Sequence, residues 1–131
     1  MNLSAQETDS LLSSTFPPSP ALFHHLKLPV FQGRPYYLEL FVDIPIDQIN
    51  SAAIFFRTEK MSRYREAPLE WYRGRYRFKY DPEAYPGKMF KYFFVVTEVN
   101  YSIHAIPLDS AGRVAPQILQ PVNPLEYFKG L

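Results

Sequence analysis

The chain has 131 residues, a net charge of +1 and no cysteine. This length predicts one domain with a buried core, the balanced charge argues against a nucleic-acid-binding protein, and the lack of cysteine excludes disulfides and thiol chemistry. Thirteen prolines, an aromatic content of 17% and apolar runs too short to cross a bilayer favour a β-rich domain without a transmembrane segment.

The N-terminal segment, residues 1–23, is rich in serine, threonine and proline and includes the stretch FPPSP. This composition favours polyproline or irregular conformation, so the segment is predicted to be a loosely ordered, extended arm. Leu11 and Leu12 are compatible with a short amphipathic turn. No basic stretch precedes a long apolar one, so no signal peptide is predicted.

From residue 24 onwards, apolar and polar residues alternate in short runs separated by turn residues. Alternation with a period of two is typical of strands that bury one face. Short strands at this spacing predict an all-β fold, a two-sheet antiparallel sandwich. A tail, residues 109–131, is predicted to extend over its surface. The inward faces are predicted to hold Leu38, Leu40 and Val42, then Ala52, Ile54 and Phe56, and finally Phe90, Tyr92, Phe94 and Val96.

The stretch LEWYRGRYRFKY, residues 69–80, reads as a hairpin with its turn at Arg73 and Gly74. A register shifted by one residue would bury the arginines. One pairing is therefore strongly preferred. The predicted pairs are Leu69 with Phe78, Glu70 with Arg77, Trp71 with Tyr76 and Tyr72 with Arg75. The aromatic and leucine side chains Leu69, Trp71, Tyr76 and Phe78 are predicted to face inward.

The middle of the chain is basic, since residues 57–91 contain ten Lys or Arg and five Asp or Glu, whereas residues 1–56 contain two and five. In the hairpin these charges are expected to form exposed pairs with Glu70 and Tyr72 rather than a ligand site. The alternative is a ligand surface, for a carbohydrate above all. Its residues would be Tyr64, Tyr72, Arg73, Arg75 and Arg77.

Apolar residues also occupy positions that face away from the predicted core, where a free sandwich normally carries polar side chains. Such a face marks an interface or is covered by the chain itself. Two alternatives follow: a protein partner covers it, or the C-terminal tail folds back through Ile118, Leu119, Leu125, Tyr127 and Phe128. The predicted protein interface comprises Phe41, Phe55, Phe93, Val95, Ile103, Tyr127 and Phe128.

No residues are predicted to be catalytic, to bind a cofactor or to bind a metal. His24 and His25 are neighbours that would point to opposite faces of a strand, and His104 is distant in sequence. No serine lies in a Gly-x-Ser-x-Gly elbow, and no glycine-rich phosphate loop occurs. A small enzyme with an unrecognised site is kept as an alternative.

Five motifs follow one another along the middle of the chain: HLKLPVFQG at 25–33, YLELFVD at 37–43, AIFFR at 53–57, GRYRF at 74–78 and KYFFVVTE at 91–98. Together they resemble those of bacterial immunoglobulin-like or fibronectin-type-III-like domains of envelope or secreted proteins. One departure is VNYS, residues 99–102, in place of a glycine-rich loop.

The resemblance covers residues 24–108. It implies that this range is an immunoglobulin-like two-sheet antiparallel sandwich, located in the periplasm, in the cell envelope or outside the cell. The expected function is a non-catalytic protein–protein interaction or structural subunit of a larger bacterial envelope assembly, with a protein partner or a homo-oligomer; a carbohydrate-binding module is the alternative.

Overall fold

The computed structural model describes residues 5–129, with side chains from residue 8 onwards. Besides a three-residue 3-10 helix at Ile46–Gln48, nine strands and two short α-helices alternate with turns in this part of the chain. In chain order they are α1 (Ala5–Ser13), β1 (Leu22–Phe23), β2 (Tyr36–Val42), β3 (Ile49–Thr58), β4 (Arg65–Pro68), β5 (Glu70–Tyr72), β6 (Arg75–Tyr80), β7 (Phe90–Glu98), β8 (Ile103–Ile106), β9 (Gln117–Leu119) and α2 (Pro124–Lys129).

The strands form two antiparallel sheets. The first sheet has the order β1-β2-β6-β5, and the second has the order β4-β3-β7-β8, with β9 also paired to β7. The predicted all-β, two-sheet antiparallel sandwich is therefore confirmed, and the arrangement is compatible with an immunoglobulin-like fold. None of the helices in the described part of the chain is long and apolar enough to span a membrane.

The core lies between the sheets and includes most of the side chains that the alternation assigned to the inward faces. Leu38, Leu40 and Ile54 are 0% exposed, and so are Phe90, Tyr92, Phe94 and Val96. Burying one such side chain stabilises the fold by about 1.5–3 kcal/mol relative to leaving it in water. The period-two pattern thus predicted the inner faces of β2, β3 and β7 correctly.

The hairpin forms with the predicted turn and register. Arg73 and Gly74 both have positive φ, 48° and 87°, which is the geometry of a tight two-residue turn. Three of the four predicted pairs form. The fourth does not, because the Leu69 amide donates instead to the carbonyl of Ala52 at 2.9 Å, where the chain crosses from the second sheet to the first.

Trp71 shares the inward face with Tyr76 as predicted, but it is not buried. Its side chain is 47% exposed, although it pairs with the buried Tyr76 as predicted. The reason is that β5 is a three-residue strand at the edge of the first sheet. An inward-facing residue on such a short edge strand has little of the opposite sheet above it.

Both terminal segments differ from the expected extended arms. Residues 5–13 form α1, and Leu22 of β1 is buried in the core, where it pairs with Val42. In the tail, β9 pairs with β7 and places Leu119 in the core at 0% exposure. The sandwich therefore includes residues on both sides of the predicted range 24–108, because both segments supply apolar side chains to it.

Candidate functional site

The outward face of the second sheet carries a second apolar cluster, separate from the core. The Phe55 and Phe93 rings are stacked, with centroids 5.0 Å apart, on adjacent strands. The next outward pair along these strands consists of Val95 on β7 and Ala53 on β3. Three of the predicted interface residues are therefore brought together. We call this set the outer cluster; it consists of Phe55, Phe93, Val95, Ala105 and Val114.

The outer cluster is not open to solvent, because the N-terminal segment covers it. Leu11 and Leu12 of α1 pack against it, as does Phe16 in the segment that follows. Phe55 is consequently 1% exposed and Phe93 is 0% exposed. The cover comes from Leu11, Leu12 and Phe16 together with Tyr64. The tail contributes Val114 to the cluster, but the five tail residues that were expected to fold back are not part of it.

A backbone hydrogen bond holds the segment that follows α1 in place. The Phe16 amide donates to the carbonyl of Gly112 at 2.8 Å. Gly112 has a φ of +81°, and a Cβ atom there would lie 2.9 Å from the Phe16 carbonyl oxygen. Any other residue would be strained by this φ and would push the two segments apart. The segment that follows α1 is thus joined to the loop that contains Gly112.

Three other predicted interface residues, Phe41, Tyr127 and Phe128, lie elsewhere. Tyr127 and Phe128 of α2 pack against Phe31, with ring centroids 5.5 and 5.7 Å away. Phe41 is on the first sheet, where its ring is 6.5 Å from that of Phe23. Of the tail residues expected to fold back, Ile118 is 47% exposed and Leu119 is in the core. The seven predicted residues do not form one surface.

An open cleft remains beside the outer cluster, and we call it the outer cleft. Its volume is about 870 Å³. The floor of the cleft is formed by two successive outward pairs of small side chains between β3 and β7, Ala53 with Val95 and Ser51 with Thr97. Side chains of α1 and of the turn before β8 form its walls. The lining includes Ser10, Leu11, Ser14, Phe16, Asn50, Ser51, Ala53, Phe55, Glu66, Pro68, Val95, Thr97, Glu98, Tyr101 and Ile103.

The rim of the outer cleft carries exposed apolar side chains. Tyr101 is 91% exposed and Ile103, a predicted interface residue, is 42% exposed. Tyr101 has a φ of 72°, which is unusual for a bulky residue. Its amide donates to the Glu98 carbonyl at 3.0 Å, closing the turn between β7 and β8. The missing glycine in VNYS thus places a strained and exposed tyrosine in this turn, which the strand pattern did not predict.

Replacing Tyr101 with glycine is expected to stabilise the isolated chain by about 1 kcal/mol, because glycine adopts positive φ without the clash of a Cβ atom. Urea unfolding measures the change. Arg73→Gly is the matched control, since Arg73 also has positive φ but lies in the hairpin turn of the other sheet. We expect a similar gain there. A loss of stability in Tyr101→Gly would show that the Tyr101 ring makes contacts that outweigh the strain.

The basic residues of the hairpin are occupied within the first sheet. The Arg77 guanidinium lies 3.6 Å from the Tyr72 ring centroid and 4.3 Å from that of Tyr37, and it pairs with Glu70 at 2.8 Å. Arg75 forms an ion pair with Glu39. The expected pairs of Arg77 with Glu70 and of Arg75 with Tyr72 are both present. Most of the basic side chains in the hairpin are therefore already paired with acidic or aromatic side chains of the same sheet.

The alternative ligand surface is divided between the two sheets. Tyr72, Arg73, Arg75 and Arg77 lie together on the first sheet, where the arginines surround the Tyr72 ring. The Tyr64 ring instead packs against Phe93 at 5.4 Å, on the outward face of the second sheet. Carbohydrate binding stays a prediction, and the five residues proposed for it do not share one face.

One histidine is held in a defined protonation state. The His24 imidazole lies 2.7 Å from the Glu39 carbonyl through Nδ1 and 2.7 Å from the Tyr92 hydroxyl through Nε2. A carbonyl only accepts, so Nδ1 carries the proton and Nε2 accepts from Tyr92. Burial lowers the pKa of His24 below its ordinary value of 6.5. His24 is therefore a neutral, structural residue.

The other two histidines do not form a common site with His24. His25 is exposed. His104 lies between the Ser19 hydroxyl, 2.9 Å from Nδ1, and Glu98, 2.7 Å from Nε2. Among the residues described, no group of three or more His, Asp or Glu side chains is placed to hold a metal ion.

Comparison with protein-family models and with curated proteins gave no match for the chain. Its function is therefore inferred from the outer cleft and from the resemblance of its strand motifs.

Proposed function

We propose that the chain is a non-catalytic protein-interaction module, a structural subunit of a larger bacterial envelope assembly, and that a partner protein binds in the outer cleft. The observation that carries the proposal is the cleft itself. The chain covers Phe55, Phe93 and Val95 with its own N-terminal segment and still leaves an apolar depression of about 870 Å³ beside them. An apolar surface of this kind on a free domain typically marks a binding site.

The form of the cleft favours a polypeptide segment as the occupant. It is an open depression on a sheet face, bordered by a helix on one side and by an exposed tyrosine and isoleucine on the other. Exposed tyrosines around an apolar floor are typical of the centres of protein interfaces. The strand motifs resemble those of bacterial envelope domains, and this resemblance supports the wider proposal of an envelope assembly.

Site-specific photo-crosslinking in the cells that produce the protein tests the proposal. A photoreactive phenylalanine analogue at Asn50, which is exposed and lines the cleft, is expected to give a discrete adduct with a partner protein. The same analogue at Lys79, exposed on the first sheet, is the control and is expected to give none.

A second variant distinguishes binding in the cleft from binding nearby. Ala53→Trp places a large ring on the cleft floor and is expected to reduce the Asn50 adduct about tenfold, a change typical for blocking one anchor site. Urea unfolding of this variant shows whether its fold is intact. The proposal is contradicted if Asn50 gives no adduct, or if a folded Ala53→Trp variant gives as much adduct as the wild type.

A further inference from the structure

We infer that the occupant of the outer cleft is helix α2 of a second copy of the chain. This inference rests on the proposed function and identifies the partner. It starts from α2 itself, Pro124–Lys129, in which no residue is buried. Leu125 is 81% exposed, Phe128 is 56% exposed and Tyr127 is 43% exposed. Exposed apolar side chains that lie together in this way typically mark a contact surface.

A few contacts position α2 and still leave its apolar side chains exposed. The Phe31 ring packs against Tyr127 and Phe128. The Asn123 side chain accepts a hydrogen bond from the Leu125 amide at 2.9 Å, which caps the first turn. A helix of six residues is too short to be stable in water without packing. A partner that covers Leu125 and Phe128 would therefore complete the packing of α2.

The outer cleft suits a short helix because the same sheet face already holds one. Leu11 and Leu12 of α1 pack against the outer cluster, and the cleft opens between α1 and the turn that contains Tyr101. Six helical residues are about 9 Å long. The part of β3 that lines the cleft, from Ser51 to Phe55, is about 13 Å long. A helix in the cleft would pack on the sheet and against α1 at the same time.

The α2 helix of the same copy lies at the opposite end of the sandwich. Leu119 of β9 pairs with Phe90 at the start of β7, and the chain continues past this end into α2. The cleft is instead lined by Val95 and Thr97 near the other end of β7. The distance along the strand from Phe90 to Thr97 is about 23 Å. The α2 helix that fills the cleft therefore belongs to another copy.

This contact joins two different surfaces, and that determines the kind of assembly. Each copy has one outer cleft and one α2, at opposite ends, so each copy can bind two neighbours. A heterologous contact of this type produces rings or open chains of subunits, whereas a two-fold dimer joins identical surfaces. Rings and chains are assemblies in which a structural subunit is repeated, as the proposed function requires.

Mixing two defective variants of the full chain tests the inference by sedimentation velocity. Leu125→Glu places a charge on α2 and leaves the cleft intact, whereas Ala53→Trp fills the cleft and leaves α2 intact. We expect the wild type to form species larger than a dimer as its concentration approaches about 0.1 mM, where weak interfaces associate. Each variant alone is expected to associate at least about tenfold more weakly. An equimolar mixture should form a dimer and nothing larger, because one intact cleft meets one intact α2.

Phe23→Glu is the matched control, since it introduces the same charge at an apolar position that is 60% exposed on the first sheet. We expect this variant to assemble like the wild type. Urea unfolding shows which variants are folded. A wild type that stays monomeric, or two folded variants that form no dimer when mixed, would overturn the inference. Assembly of Leu125→Glu as strong as that of the wild type would overturn it whatever Ala53→Trp does.

The cell-based crosslinking separates this inference from the proposed function. The Asn50 adduct is expected to have the mass of two copies of the chain, with the crosslink in residues 124–129 of the second copy. An adduct with a different protein would overturn the inference and leave the proposed function standing. If no adduct forms, the proposed function itself fails.

Discussion

Replacing Phe93 with alanine is expected to destabilise the chain as strongly as replacing its neighbour Phe94, by about 3–5 kcal/mol in each case. The two side chains are adjacent on β7 and point to opposite faces of the second sheet. Phe94 lies in the core between the sheets, whereas Phe93 lies in the outer cluster beneath the N-terminal segment, and both are 0% exposed. Equal costs are expected only if that segment covers Phe93 in solution.

Urea unfolding followed through the fluorescence of the single tryptophan, Trp71, measures both costs. Ile103→Ala is a control at a position that is 42% exposed, and we expect about 1 kcal/mol or less there. Removal of residues 1–16 should lower the cost of Phe93→Ala while leaving that of Phe94→Ala nearly unchanged, because Leu11, Leu12 and Phe16 pack against the cluster that contains Phe93, whereas Phe94 belongs to the core. A cost below about 1 kcal/mol for Phe93→Ala in the full chain would show that the cover is not formed.

The local features of this fold were predictable from the sequence. Alternation with a period of two identified the inward faces of β2, β3 and β7, because a one-residue shift would exchange buried and exposed side chains. The hairpin register followed from the two residues of its turn, Arg73 and Gly74. Both signals depend on neighbours a few residues apart, and so both can be read from one sequence.

The long-range features were not predictable in the same way. Leu11, Leu12 and Phe16 cover the outer cluster, but Tyr127 and Phe128 form an equally apolar segment, and composition does not distinguish the two. Which of the two segments covers the outer cluster depends on the path of the chain. The N-terminal segment is held there by the close contact of Phe16 with Gly112. The exposure of Trp71 likewise depends on the crossing at Leu69, which alternation does not reveal.

The candidate site combines both kinds of feature. Phe55, Phe93 and Val95 were identified as outward and apolar from the alternation alone. The cleft was not, because it lies between α1 and the turn before β8, above the small side chains of Ser51 and Ala53. Tyr101 was signalled only by the lack of a glycine in its turn. The proposed binding surface therefore lies beside the part of the second sheet that the N-terminal segment covers, and not beneath that segment.

Acidification is expected to destabilise the chain through His24. Burial depresses the folded-state pKa of His24 below the 6.5 of an exposed histidine, so the unfolded chain binds more protons than the folded chain between these two values. The stabilisation from neutral His24 is complete above about pH 6.5 and is lost progressively as the pH falls from there through the folded-state pKa. Protonation would also give Nε2 a hydrogen that opposes the Tyr92 hydroxyl donor.

His24→Phe tests this assignment. At pH 8 the variant is expected to lose about 1–3 kcal/mol, because the buried Tyr92 hydroxyl and the Glu39 carbonyl lose their hydrogen-bonding partner. Its stability should depend less on pH than that of the wild type, so the two stabilities converge between about pH 7 and pH 5. His25→Phe introduces the same side chain at an exposed neighbouring position and serves as the control variant. A constant difference between wild type and His24→Phe across this range, measured by urea unfolding at each pH, would mean that His24 is not held neutral by the fold.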